Sequence, residues 1–142
     1  MVYPDAELIE KRQEPFTKAV CEGDLKTMMS YYVDDGLEYS DYEVCIMQLN
    51  MSKPVLVEVF SGMFEHCGNW DCKTIAVTGD KSFTVWESES SYTQLKETPM
   101  LKYKVGDRPT LFGASLQWWD EKGEKIVKQK DYVVFKDPEP HN

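Results

Sequence analysis

The chain has 142 residues, enough to bury one core, and its 42% hydrophobic and 29% charged residues match a soluble globular domain. A net charge of -9 excludes nucleic acid as an expected partner, because Lys122, Lys125, Lys128 and Lys130 are interleaved with Glu121, Glu124 and Asp131 and form no basic stripe. No apolar run approaches the ~20 residues of a membrane span. Met1 to Asp5 lacks the basic and apolar stretches of a signal peptide, so a cytosolic location is expected.

Asp5 can cap a first helix to about Glu22, with Leu8, Ile9, Phe16, Ala19 and Val20 as its apolar side. Pro15 inside that span predicts a kink or two abutting pieces. Gly23 ends the helix, and Asp24 caps a second from Leu25 to about Val33. Asp34-Asp35-Gly36 is a turn into a short strand over Leu37 to Tyr42. Ser52 caps a third helix ending near Cys67-Gly68, with Pro54 early and a broad apolar face of Val55, Leu56, Val59, Phe60, Met63 and Phe64. Four long strands follow, over Asp71 to Thr78, Ser82 to about Leu95, Thr110 to Trp119 and Glu124 to Phe135. Turns at Gly79-Asp80-Lys81 and Asp120-Glu121-Lys122-Gly123 predict antiparallel hairpins. Residues 1–136 read as one α+β domain and 137–142 as a frayed tail.

Two strings carry a family likeness. "AVCEGDLKTMMSYYVDDGLEYSDY" resembles the small-residue, GD, two-turn helix, aromatic, xDD entry of the NTF2-like superfamily into its first strand. "KVGDRPTLFGASLQWWDEKGEKIVKQKDY" resembles the ending of the SnoaL-like branch, a strand, a D-x-x-G-K turn and an I-V-x-x-x-D-Y strand. The resemblance implies a cone, a curved antiparallel sheet wrapped around three helices, and a homodimer paired through the sheet's outer face. Its members include polyketide cyclases, dehydratases, steroid-type isomerases, fungal natural-product enzymes and non-catalytic binders, so the fold alone names no reaction.

Alternation in the last strand sets Lys128, Lys130 and Tyr132 against Val127, Gln129, Asp131, Val133 and Phe135. The lysines favour solvent, which turns Asp131 inward, where desolvation would raise its pKa and suit it to proton transfer. The resemblance points the same way, since SnoaL-like cyclases use an acidic cavity residue. The competing reading is a carboxylate satisfied by a neighbouring hydroxyl. In the first strand Leu37 draws Tyr39 and Asp41 inward, a phenol and a carboxyl that could act beside a carbonyl, unless Asp41 is a solvated strand end. His66 flanks the apolar face of the third helix as a further acid/base candidate, or else only caps that helix. Trp86, Tyr92, Phe64, Gln117, Trp119 and Arg108 are candidates for substrate binding, although Trp86 also suits a core and Arg108 an exposed loop. Of Trp118 and Trp119, one faces the cavity and one an interface.

No HExxH, Cys/His cluster, Gly-rich phosphate loop or GxSxG elbow occurs, so neither metal nor cofactor is expected. Cys21, Cys45, Cys67 and Cys72 form no CxxC pair and read as small buried thiols. The expected function is a cofactor-independent isomerase or cyclase of an apolar polyketide or terpenoid-type intermediate. The alternative is a non-catalytic hydrophobic-ligand-binding or dimerisation module.

Overall fold

The computed structural model describes residues 6–43 and 47–138. Helix α1 spans Ala6–Glu22 and α2 spans Leu25–Met29; β1 (Glu38–Glu43) and β2 (Met47–Met51) follow, then α3 (Lys53–His66). Strands β3 (Cys67–Gly79), β4 (Phe83–Gln94), β5 (Thr110–Trp119) and β6 (Ile126–Lys136) complete one sheet in the order β2-β1-β6-β5-β4-β3. The expected α+β cone is present, with two differences. Strand β2 adds a sixth strand, and β1 pairs with β6 in parallel while every other pair is antiparallel.

Local chemistry explains the boundaries. Asp24 caps α2 by accepting from the Thr27 amide at 3.1 Å. That helix stops at Met29, short of the expected Val33, because the backbone of Tyr31 and Val33 is diverted to Ile126. α1 runs through Pro15 as a single element, so the two-piece alternative does not form. The β3–β4 turn closes on Asp80, whose Oδ1 accepts from the Ser82 amide at 2.8 Å and the Phe83 amide at 3.0 Å. Gly79, at φ 129°, leaves no room there for a Cβ, which would lie 2.1 Å from the Phe83 carbonyl oxygen.

The core gathers Phe16, Ala19, Met28, Met29 and Tyr32 against Leu37, Tyr39, Leu56, Trp86, Trp119 and Ile126 on one face of the sheet. Phe16 meets Trp86 edge-on at 5.6 Å and Tyr32 at 6.2 Å. Leu8 and Val55, expected on buried faces, are exposed, and Val59, Phe60, Met63 and Phe64 are only half-buried. Of these, Val59, Phe60 and Phe64 pack against the core cluster.

Cys21 of α1 and Cys72 of β3 form a disulfide, with Cα atoms 5.9 Å apart. This corrects the reading of the cysteines as thiols and removes its support for a cytosolic location. Spacing could not reveal a pair 51 residues apart, brought together where α1 lies along β3. Cys67 is buried and free, and Cys45 lies outside the described residues. Asp137, assigned to the tail, accepts from Tyr103 at 3.0 Å and pairs with Lys102 at 2.9 Å. No described helix is long and apolar enough to cross a membrane.

Candidate active site

The inner wall of the sheet is built in register rows. Thr84 of β4 lies beside Gln117 of β5, Gln117 beside Gln129 of β6, and Gln129 beside Tyr39 of β1. One row further along, Trp86, Ser115, Asp131 and Asp41 stand side by side on the same four strands. Cross-strand partners share a face, so both rows point toward α1 and α3.

Asp131 is 9% exposed, as the lysine alternation predicts. Its carboxyl is saturated with donors. Tyr39 donates its hydroxyl to Oδ2, Gln129 donates Nε2–H to Oδ1 at 2.8 Å, and Ser115 adds a third side-chain bond. Burial raises the Asp131 pKa while these three bonds oppose the rise.

Asp41 is half-buried beside it and differently served. Its Oδ1 is buried and has no hydrogen-bond partner within the described residues. Desolvation first, then the charges of Asp131 and Glu43 and a side-chain hydrogen bond with Glu43, push its pKa up to about 9. The two adjacent carboxyls thus lie in unequal settings, Asp131 fed by donors and Asp41 pushed toward its protonated form.

Tyr39 is buried against Tyr32 and Phe60, with ring centroids at 5.7 and 6.2 Å. Its pKa is driven well up by burial and the Asp131 charge, so the phenol holds Asp131 and keeps its proton. Gln117 is fully buried in the neighbouring row and touches the acids only through Gln129. Trp119 is the inward indole of its pair; Arg12 lies 3.6 Å over its ring, and its Nε1–H donates to Thr84 at 2.9 Å. Trp118 is on the outer face, 5.0 Å from both Phe83 and the Lys128 ammonium.

Several candidates fall away from the acid pair. His66 ends α3 with Nδ1 2.7 Å from the Gly62 carbonyl oxygen, in the capping alternative. Arg108 donates to the Asn69 carbonyl at 2.8 Å and to Thr93 at 3.0 Å, which ties β3 to β4. Trp86, though in the same row as the acids, is packed into the core and donates to Thr74 at 3.0 Å. Tyr92 is buried against Trp70, with ring centroids at 4.9 Å. Phe64 stays half-buried, 6.2 Å from Phe60, packed against the core beside Gly23.

The sequence reading missed Glu43, Ser115 and Tyr32. Glu43 continues the Tyr39, Asp41 parity one step past the expected strand end, and Ser115 shares parity with Gln117, so both signals were present. Toward the far end of the rows Ser88, Ser90, Gly113 and Val133 share the inner face yet remain partly exposed. Solvent thus reaches the wall next to the acids. The surface clefts beside Lys130 and Tyr42, and beside Asp80 and Glu121, lie on the outer face and at the turns and contain neither Asp41 nor Asp131.

Fold and site together define a small α+β cone with a carboxyl pair on its inner wall. No family model matches the chain. Over 127 residues it is 30% identical to Cyclase aurE from Calcarisporium arbuscula, covering 89% of this chain and 87% of that one. The fold is similar to that of a candidate SnoaL-like polyketide cyclase from Shewanella denitrificans, with a TM-score of 0.68 and 14% identity over 89% of this chain and 90% of the other. It is also similar to an LEH-like epoxide hydrolase of M. tuberculosis, with a TM-score of 0.62 and 16% identity over 94% and 86%. The chain belongs to the SnoaL-like branch of the NTF2-like superfamily.

Proposed function

We propose that this protein is an acid/base isomerase or cyclase that needs no cofactor and acts on an apolar, oxygenated polyketide or terpenoid-type intermediate. The observation that carries the reading is the matched placement of Asp41 and Asp131 in unequal environments. The Asp131 carboxylate removes a proton from the carbon beside a carbonyl. The Asp41 carboxylic acid, its Oδ1 uncommitted, gives a proton to the oxygen on which the enolate charge develops. The product of that exchange is a neutral enol with the proton inventory of the pair inverted. Return of a proton at another carbon isomerises the substrate, and attack by the enol carbon or oxygen on a second electrophilic carbon closes a ring. The likeness to a protein named as a cyclase supports this chemistry at the level of reaction type.

Incubation with a panel of apolar β,γ-unsaturated ketones in deuterated water tests the proton step, read by NMR as deuterium entering the α-carbon. Asp131→Asn should slow enzyme-dependent exchange by about 10²–10⁴-fold, and the variant should fold, because a neutral amide replaces a desolvated carboxyl. Lys130→Gln, on the outer face, should exchange at the wild-type rate. A folded Asp131→Asn protein that exchanges normally defeats the reading.

A further inference from the structure

The row next to the acid pair forms a hydrogen-bond chain whose direction is set at one end. An indole N–H can only donate, and that of Trp119 donates to Thr84 Oγ1 at 2.9 Å. Thr84 in turn sends its own proton to Gln117 Oε1, at 3.2 Å. The Gln117 amide therefore presents Nε2–H to Gln129 Oε1, at 3.2 Å, an oxygen that also accepts from Tyr32 at 2.9 Å. With Oε1 so engaged, Gln129 turns Nε2–H toward Asp131 Oδ1 at 2.8 Å and the Tyr39 oxygen at 3.2 Å. Tyr39, accepting from Gln129, donates to Asp131 Oδ2. We propose that Trp119 is a positioning residue whose indole N–H polarises this chain through Thr84, Gln117 and Gln129, so that both oxygens of Asp131 act as acceptors and the carboxyl is held as the base.

The chain can reverse only as a unit. Flipping the Gln117 amide alone would face its oxygen against Gln129 Oε1 in a buried row, where each unpaired polar atom costs about 1–3 kcal/mol. Flipping both amides would set the Gln129 oxygen against Asp131, which would then have to carry a proton to donate. Thr84, Gln117, Gln129 and Tyr39 are all essentially inaccessible, so water cannot repair a mismatch. The titratable groups facing Asp131 are Tyr39 and Asp41 of β1, with Glu43 behind Asp41 and Tyr32 from the segment after α2; β5 contributes Ser115, and α3 contributes Phe60 against Tyr39. Among the described residues, what favours the charged form of Asp131 is its hydrogen bonds from Ser115, Tyr39 and Gln129.

The inference rests on the acid/base reading of Asp131, but its test reads the carboxyl itself. The ¹³C resonance of the Asp131 carboxyl, assigned by its loss in Asp131→Asn, is followed against pH in the substrate-free protein. Trp119→Phe removes the N–H, and Thr84→Val cuts the chain at the next link while keeping the indole and the side-chain volume. In both, Asp131 should titrate about one pH unit or more above the wild type, since favourable bonds to its charged form are weakened. Trp118→Phe, on the outer face, should titrate with the wild type. Where Trp119→Phe loosens the core, Thr84→Val decides alone. Wild-type titration in the folded relay variants overturns the proposal, even if Asp131→Asn abolishes proton exchange. A shifted titration alongside a fully active Asp131→Asn would instead support the relay and defeat the catalytic reading.

Discussion

Asp41 and Asp131 occupy matched register positions on adjacent parallel strands, so their carboxyls lie side by side, Asp131 with three side-chain donors and Asp41 with a buried Oδ1 that has no partner among the described residues. In the proposed mechanism this inequality makes one the acid and the other the base.

The first consequence is an alkaline limit to activity. The donor role requires Asp41 to hold a proton, and its pKa is pushed up to about 9 by burial and by Asp131. kcat/KM should therefore fall above about pH 9 and fall tenfold per pH unit beyond it, as a single ionisation requires. Asp41→Asn should lower the rate on the plateau and abolish this limb. A wild-type profile flat to pH 10.5 would contradict the assignment of Asp41 as the acid.

Stability should show the same group with its own sign. Asp41 ionises near 3.8 in the unfolded chain and near 9 in the folded one, so the folded state binds more protons between those values. Stability from this group is fully present below about pH 4 and is lost as pH rises toward about 9. Asp41→Asn should thus raise Tm at pH 8 and leave it nearly unchanged at pH 4, in thermal melts at both pH values. An equal shift at both pH values would mean that the gain comes from packing.

A homodimer is expected through the outer face. Phe112, Tyr132 and Val134 are exposed on adjacent strands there, and Tyr42 stacks on Tyr132 at 4.8 Å. Such a contiguous apolar area suits a partner surface. Light scattering should give twice the monomer mass at micromolar concentration, and Phe112→Asp with Val134→Asp should halve it without unfolding the chain. A monomeric wild type counts against the expectation.

The Cys21–Cys72 bond closes a loop of 51 residues. In the chain-entropy account such a link contributes about 4 kcal/mol. Reduction, or Cys72→Ser, should lower stability by up to that amount in urea titrations, with little change in the native circular dichroism. Identical midpoints with and without reductant would show that the link contributes nothing.

Much of the fold was legible because strand alternation is strong where charges mark one face. Lys128 and Lys130 turned Asp131 inward, and Leu37 did the same for Tyr39 and Asp41. Strand β2 was not legible, since Met47-Gln48-Leu49-Asn50-Met51 alternates weakly and Leu49 is exposed. Nor could alternation tell Trp86, locked in the core, from a cavity wall, because both are inward. His66 looked placed for chemistry by residue type, yet its ring is committed to its own helix. The pairing of Asp41 with Asp131 depends on a parallel contact between strands 90 residues apart, which no local pattern encodes.

Arg12 does more than cover Trp119. Its guanidinium donates to the carbonyls of Asp80 and Lys81 in the β3–β4 turn and of Gly123 in the β5–β6 turn, at 2.9 to 3.3 Å. One side chain from α1 thereby pins both turns at the same end of the sheet. Arg12→Ala should therefore loosen the two turns together, read as faster amide exchange in both.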